Sequence, residues 1–367
     1  MIDTKGLSRR PLKLKSTRIR RNYRGGLLLE AWQGESGASD GHWPEEWVAS
    51  TTEARDTRSA PGEGLSIIDL GGTDGPYLRD VIAADPEAFL GAEHVAKYGT
   101  DTALLVKIID AQSRLLLQAH PDKLQAKALF GSDYGKTEAW YIIGGRETRE
   151  GPPYVLLGFK EHVTRQLWAD LFTKQDVAGM IDCLHRFTVS PGEVYFIEGG
   201  VPHAIGGGCL VLEVQEPTDY TFRVERKTPD GRPLPDSFCH QGAGFERMLD
   251  CFHYDPCTRQ EIKDRWLLAP AIISSGPGGM ETALISPEQS AYFSMIRLDV
   301  TGTYRQRSIT SGMAVAVVLS GQGTLAWDGG RMDIGRADEL FLPAGIQDME
   351  WRSGGDTLAV VLCRPPQ

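Results

Sequence analysis

Two imidazoles, a carboxylate and an amide oxygen can together hold a divalent cation, and this chain offers such a set in two stretches. The first reads Leu115-Leu116-Leu117-Gln118-Ala119-His120-Pro121-Asp122-Lys123 and resumes at Gly135-Lys136-Thr137-Glu138-Ala139-Trp140-Tyr141. The second reads Pro191-Gly192-Glu193-Val194-Tyr195-Phe196-Ile197 and resumes at Val201-Pro202-His203-Ala204-Ile205. Gln118, His120, Glu138 and His203 are the candidate ligands. Their N/O character suits Zn²⁺ and also Mn²⁺, Co²⁺ or Fe²⁺. The absence of cysteine from the set disfavours a closed structural zinc and favours a position open to water or substrate. On spacing alone, two unrelated histidines fit as well, because Q-x-H-P is a short pattern. The Pro and Gly turns beside both histidines weigh against that reading.

The elements that must position these residues read as strands of one barrel. Alternate residues of a strand share a face, so Gln118 and His120 point the same way on a strand from Leu115 to His120. Pro121 ends its pairing, and Asp122 caps a short helix through Phe130. Leu104-Leu105-Val106-Lys107-Ile108-Ile109 is an apolar strand broken by one lysine. Burying that ammonium without a partner is costly. Lys107 therefore lies either at a strand end in water or in a polar cavity, and the two remain open. Leu210 to Gln215 is another such run with Glu213 inside it, and Thr221-Phe222-Arg223-Val224 follows. Trp47 to Ser50 is a short strand candidate. Asp85-Pro86-Glu87 predicts a helix running towards Lys97. Leu167, Trp168, Leu171 and Phe172, then Val177, Met180, Ile181 and Leu184, recur at helical spacing and predict two helices packed over the barrel. A helix is expected from about Gly242 to Cys251, and Tyr254-Asp255-Pro256 reads as a domain boundary.

A faint repeat follows. Gly192 to His203 aligns by pattern with Ala337 to Asp348, which predicts the same strand-turn-strand corner in a second barrel. Asp348 replaces His203 there, and no histidine occurs after His253, so that barrel is expected to lack a histidine metal site.

Composition bounds the function. A net charge of −10 argues against nucleic acid as the main partner, since phosphate backbones select basic surfaces. It leaves room for a small anion, because a few cations focused in one cleft outweigh the global sign. No apolar run approaches the ~20 residues of a membrane span. Six scattered cysteines without a CxxC pair read as reduced thiols, so the expected compartment is the cytoplasm. The basic N-terminal stretch has no apolar core of a secretory signal and reads as a solvated edge.

Four of these segments resemble the class I mannose-6-phosphate isomerases, a zinc-dependent cupin family. They are Gln118-x-His120-Pro121-Asp122-Lys123, Tyr134-Gly135-Lys136-Thr137-Glu138-x-Trp140-Tyr141, Gly192 through Gly206, and Leu212-Glu213-Val214-Gln215 through Asp219 to Arg223. Together they span residues 100–226 in the family's order, and Tyr23-Arg24-Gly25-Gly26 is similar to its N-terminal signature. The compact insert is similar to the shorter bacterial form. The resemblance implies a mainly β chain of two cupin-type jelly-roll barrels with a small helical insert near 159–187. Residues 1–255 would form the catalytic barrel and 256–367 a degenerate one. It implies one Zn²⁺ per chain on Gln118, His120, Glu138 and His203. It implies a catalytic set of Arg223, Lys136 and Glu213, with Lys107 and Lys123 at the substrate. The substrate would be a small sugar phosphate, mannose 6-phosphate interconverting with fructose 6-phosphate through an enediolate, in a monomer or homodimer. Departures are Leu116, where many members carry serine, Ala119 and Ala139 for larger apolar residues, and Glu198 for proline. Leu116 keeps a second reading open, a cupin isomerase or binding protein for another sugar or sugar phosphate. An iron oxygenase and a non-catalytic sugar-phosphate sensor are further alternatives.

Overall fold

The computed structural model describes residues 4–55, 60–72, 74–306, 312–346 and 348–366. The chain is mainly β, and its strands form four antiparallel sheets. The outer sheet orders Phe222–Arg223, Gln118–Ala119, His203–Ile205, Tyr154–Phe159 and Leu184–Thr188. The site sheet orders Leu267–Leu268, Val194–Ile197, Glu138–Gly145, Cys209–Gln215, Leu105–Asp110, Glu45–Val48 and Arg18–Ile19. A central sheet orders Leu12–Lys13, Glu339–Leu342, Ala314–Ser320, Leu358–Arg364, Ser294–Val300, Gly279–Ile285 and Ala271–Gly276. The far sheet holds Thr303–Arg305, Glu350–Ser353, Gln322–Trp327 and Gly330–Gly335.

Period-two alternation explains how these sheets stack. Tyr154, Leu156, Ala204 and Phe222 on one face of the outer sheet pack with Trp168, Phe172 and Met180 of the helices Arg165–Lys174 and Val177–Asp182. Their neighbours Val155, Leu157 and Ile205 turn the other way and pack with Trp140 and Ile142 of the site sheet. On the central sheet, Val315, Val317, Phe341, Val361 and Cys363 face the site sheet, while Ala316, Val318, Leu340, Leu342, Val360 and Leu362 meet Leu325, Ile334 and Trp351 of the far sheet. The central strands are therefore buried on both faces and read as continuous apolar runs. The layers are helices, outer sheet, site sheet, central sheet and far sheet. Two strand exchanges tie the ends of the chain together. Leu12–Lys13 pairs with Glu339–Leu342, and Leu267–Leu268 pairs with Val194–Ile197.

Several expectations are met in altered form. The helix from Asp85 stops at Leu90, because Gly91 has φ +91°, outside the helical region; a separate helix, Ala92–Tyr98, follows. Leu78–Ala84 is a further helix that the sequence reading did not place. The strand through Trp47 begins at Glu45 and ends at Val48, where Ala49 takes φ +52°. Ladder pairing in the Leu115–His120 segment is confined to Gln118–Ala119. Leu184 starts a strand and does not continue the second helix of the insert, and the helix near Gly242 is limited to Phe245–Asp250. Val194–Ile197 and Glu339–Leu342 are strands of equal length at the aligned positions of the internal repeat.

The chain leaves His120 through a reciprocal cap. Gln125 N donates to Asp122 Oδ1 at 2.8 Å, and the Gln125 carboxamide oxygen accepts from Asp122 N at 3.0 Å, so the helix Lys123–Phe130 starts at a fixed angle. Asp122→Ala is expected to lower stability by about 1 kcal/mol, the usual cost of a lost N-cap. Denaturant midpoints of the two proteins check it, and an unchanged midpoint would show that the cap contributes nothing.

Candidate metal centre and the charged cavity beside it

The metal-binding candidates come from both N-terminal sheets. His203 lies directly opposite Gln118 in the outer-sheet register, and His120 follows one residue beyond that strand. Glu138 opens a site-sheet strand and pairs with Gln215. His120, Glu138 and His203 are all buried, and one ligand atom from each lies within 4.8 Å of the others. His120 Nε2 is 3.1 Å from Glu138 Oε2, and His203 Nε2 is 3.3 Å from Glu138 Oε1. The far side of each ring is already committed: His120 Nδ1 lies 2.9 Å from Tyr220 O, and His203 Nδ1 lies 2.9 Å from Val201 O. Carbonyls accept only, so both rings carry their proton on Nδ1 and present a lone pair at Nε2. Glu138 Oε1 is buried without a hydrogen-bond donor. Three acceptors thus converge on one point, an arrangement that suits a cation. Gln118 stands beside them with its carboxamide 3.2 Å from His203 Nε2, and half a turn of that amide presents its oxygen.

Lys136 reaches the same point through a close backbone approach. A Cβ on Gly135 would meet Pro121 O at 2.8 Å, so only glycine lets this loop lie against the His120 turn. Lys136 N then donates to Pro121 O at 3.0 Å. Its ammonium contacts Glu138 Oε2 and lies 2.9 Å from His120 Nε2. Burial and this ammonium push the His120 imidazolium down to about 3, and burial lowers His203 as well. Burial acts to raise Glu138, but Lys136 and the two imidazoles hold it well below the usual carboxylate range.

A second set of charges lines a cavity next to this cluster. Lys107 Nζ lies 2.6 Å from Gln215 Oε1, 3.2 Å from Glu213 Oε1 and 4.0 Å from Asp219 Oδ1, above the Trp47 ring. Arg21 pairs with Glu45 at 2.9 Å and with Asp219 at 3.4 Å. Tyr23 donates to Glu45 at 2.7 Å. Burial and the nearby Glu138 raise Glu213. Against the opposing effect of burial, Arg21 and Lys107 hold Asp219 at about 2. Arg223 lies opposite Gln118 in register, stacks 4.0 Å over Phe238 and donates to Thr221 O and Phe238 O. Arg21, Lys107, Lys136, Glu213, Asp219 and Arg223 share this cavity, and Ile109, Leu115 and Leu116 form its apolar side.

Of the nine residues singled out in the sequence, the structure brings eight together. Lys123 stands apart: it is half-exposed at the helix start, 3.5 Å from Glu216 and over the Tyr292 ring. The water-versus-cavity choice left open for Lys107 resolves to the cavity. His185 lies 2.8 Å from Cys257 O and serves packing. Sequence reasoning missed Arg21 and Glu45 as members of the cavity, and Trp47 as the ring beneath Lys107. Arg21 lay in the basic N-terminal stretch that read as a solvated edge, and Glu45 preceded the expected strand.

Fold and site define a mainly β protein with a buried His-Glu-His group that could hold a metal ion. Residues 69–138 match the model of the phosphomannose isomerase type I catalytic domain. The chain is 33% identical over 256 residues to the mannose-6-phosphate isomerase ManA of Bacillus subtilis, covering 67% of this chain and 71% of that one. It is 29% identical over 289 residues to the probable mannose-6-phosphate isomerase GmuF of Bacillus subtilis, covering 78% and 82%. A crystal structure of the mannose 6-phosphate isomerase from Bacillus subtilis superposes with a TM-score of 0.75 at 22% identity, over 96% of this chain and 99% of that one. The chain belongs to the type I phosphomannose isomerase family.

The lowered His120 has a consequence for stability. Its folded pKa of about 3 lies below the ordinary imidazole value, so between about pH 6.5 and 3 the unfolded chain binds a proton that the folded chain refuses. That contribution to stability is present above pH 6.5 and lost as pH falls. In chelator-treated protein, the stability of the wild type relative to His120→Gln is expected to decline from pH 7 to pH 4. A difference that stays constant across that range, measured by denaturant unfolding, would contradict it.

Proposed function

We propose that this chain interconverts mannose 6-phosphate and fructose 6-phosphate. The observation that carries the reading is the convergence of His120, Glu138 and His203 beside a cavity lined by Arg21, Lys107, Lys136 and Arg223, in a chain of this family. Gln118, His120, Glu138 and His203 would hold one Zn²⁺ per chain. When bound, that cation would supply positive charge for the oxygens of the open-chain sugar. The three converging acceptors, with Nδ1 of both histidines tied to carbonyls, support the assignment.

The chain's own residues supply the rest. Aldose–ketose interconversion removes the proton from C2 to leave an enediolate, passes the hydroxyl proton from O2 to O1, and returns a proton to C1, with no external oxidant or reductant. Glu213 is the proposed proton carrier. Its raised pKa brings it nearer the range where a carboxylate takes and returns a proton at neutral pH. Arg223 donates to the oxygen on which negative charge develops. Lys136 and Lys107 offset the phosphate dianion as point charges. Lys123, half-exposed and apart from the cavity, would serve only to attract the anion from a distance.

We further propose that the four sheets form two cupin-type jelly-roll barrels. Residues 1–255 would form the catalytic unit, with the helical insert at 159–187, and 256–367 the unit without a metal site. Six free cysteines fit a reducing, cytoplasmic compartment. No helix among the described residues is long and apolar enough to cross a membrane. One observation favours a second substrate. Leu116 is buried in the cavity wall where a hydroxyl would serve a phosphate, which suits another sugar or sugar phosphate.

A coupled assay from mannose 6-phosphate to fructose 6-phosphate, with mannose as comparison, is expected to show turnover that chelation abolishes and Zn²⁺ restores. Metal content after dialysis should fall in His120→Ala and in His203→Ala; one retained equivalent in both would overturn the ligand set. Arg223→Ala should keep its metal and lose about 10²-fold in kcat, the scale of one preorganised donor. Lysine at that position should restore only part of the loss, because it lacks the planar fork. Wild-type kcat and KM in Arg223→Ala would remove this residue from the site.

A further inference from the structure

One register line crosses the site sheet and joins the metal cluster to the proton carrier. Tyr195, Trp140, Glu213, Lys107 and Trp47 are direct cross-strand neighbours, each from a different strand. Residues on one such line project from the same face, so this row points at the cavity side. Glu213 sits in its middle with each oxygen held by a different group. Lys107 Nζ faces Oε1 at 3.2 Å, and Trp140 Nε1 donates to Oε2 at 3.0 Å. The Trp140 ring stands edge-on to the His203 imidazole, with centroids 5.4 Å apart and planes at 69°. Trp140 is fully buried, and it sits two residues after Glu138 on the same face of the same strand. The indole therefore touches both a candidate metal ligand and the proposed proton carrier, and reaction chemistry itself needs nothing from it.

We infer that Trp140 is a positioning residue for the isomerase reaction, fixing the plane of the Glu213 carboxylate through its N–H and bracing His203 through its ring edge. The physical reason is torsional. A carboxylate held by one ammonium alone can turn about its terminal bond, because a point charge has little directional demand. A second donor on the opposite oxygen, itself locked in a packed core, removes that freedom. Proton transfer to carbon needs reacting atoms placed within a fraction of an ångström, so such a donor is felt in turnover more than in binding. Trp47 does the equivalent for Lys107 from the other end of the row: its ring lies 4.9 Å from Nζ, and its own N–H is spent on Glu45 at 2.9 Å.

This inference rests on the assignment of Glu213 made above, and the experiment separates the two. Trp140→Phe keeps an aromatic ring and removes the N–H. It is made alone and together with Glu213→Gln, and kcat, KM, metal content and thermal midpoint are measured on metal-loaded protein. Alone, Trp140→Phe is expected to lower kcat by about 10- to 100-fold, the scale of one hydrogen bond to a charged group. KM, metal content and thermal midpoint should stay near wild type. In the Glu213→Gln background, the same change should cost less than about twofold, because the two residues act as one unit. An equal loss in both backgrounds, or an unchanged kcat for Trp140→Phe, overturns the inference and leaves Trp140 as core filling. A wild-type kcat for Glu213→Gln alone instead removes Glu213 from the proposed mechanism, and this inference with it. If Trp140→Phe does not fold, the benzothiophene isostere of tryptophan at the same position deletes the N–H with the shape preserved and is read the same way.

Discussion

Moving an ionised side chain out of water costs several kcal/mol unless another charge or a set of dipoles replaces the water. Between the outer sheet and the site sheet, this chain buries Arg21, Lys107 and Lys136 with Glu45, Glu138, Glu213 and Asp219. The ion pairs among them join opposite signs: Arg21 with Glu45 and Asp219, Lys107 with Glu213 and Asp219, Lys136 with Glu138. The network is therefore a constraint on the fold before it is a site. Removing one member leaves the others without their partner.

The sheets satisfy the constraint by geometry. Cross-strand neighbours sit ~5 Å apart on one face, close enough for an ion pair without a long side chain having to reach. Glu213 has Lys107 on one side and Trp140 on the other because its strand is central, paired on both edges. The outer sheet contributes the imidazoles. It spends their Nδ1 protons on its own loop carbonyls, so that only lone pairs face Glu138. The central sheet takes no part in this chemistry. It covers the apolar back of the site sheet, where Arg297 donates to Tyr141 at 2.7 Å and Phe196 meets Phe293. A site sheet with one face polar and charged needs that cover, since the other face is apolar and would otherwise meet water.

Two residues mark where this chain's cavity has its own character. Leu116 extends the apolar wall formed with Ile109 and Leu115. Lys123 faces Glu216 and Tyr292 and leaves the cavity cations to Arg21, Lys107, Lys136 and Arg223. Arg21 takes a place in the cavity that the N-terminal sequence gave little reason to expect. Of the cavity cations, Arg21, Lys107 and Lys136 stand on or beside site-sheet strands and Arg223 on the outer sheet.

What the sequence determined by itself was local. Donor chemistry named Gln118, His120, Glu138 and His203, and period-two alternation placed the first two on one face. Asp122 and Gln125 spelled out the helix cap, and helical spacing found both helices of the insert. The motifs quoted from residues 100–226 named the family. These are short-range signals, carried by residues a few positions apart. Tertiary structure decided the rest. Lys107 has the same neighbours in sequence whether it points to water or to a cavity; only the register with Glu213 and Gln215, more than a hundred residues away, fixes the answer. Arg21 read as part of a solvated basic edge until Glu45 and Asp219 were brought to it. Trp140 stood in the sequence only as a member of a quoted motif, and its place between His203 and Glu213 exists only because the outer sheet packs on two paired strands of the site sheet. Buried charges are compensated through space, by partners that chain order does not reveal.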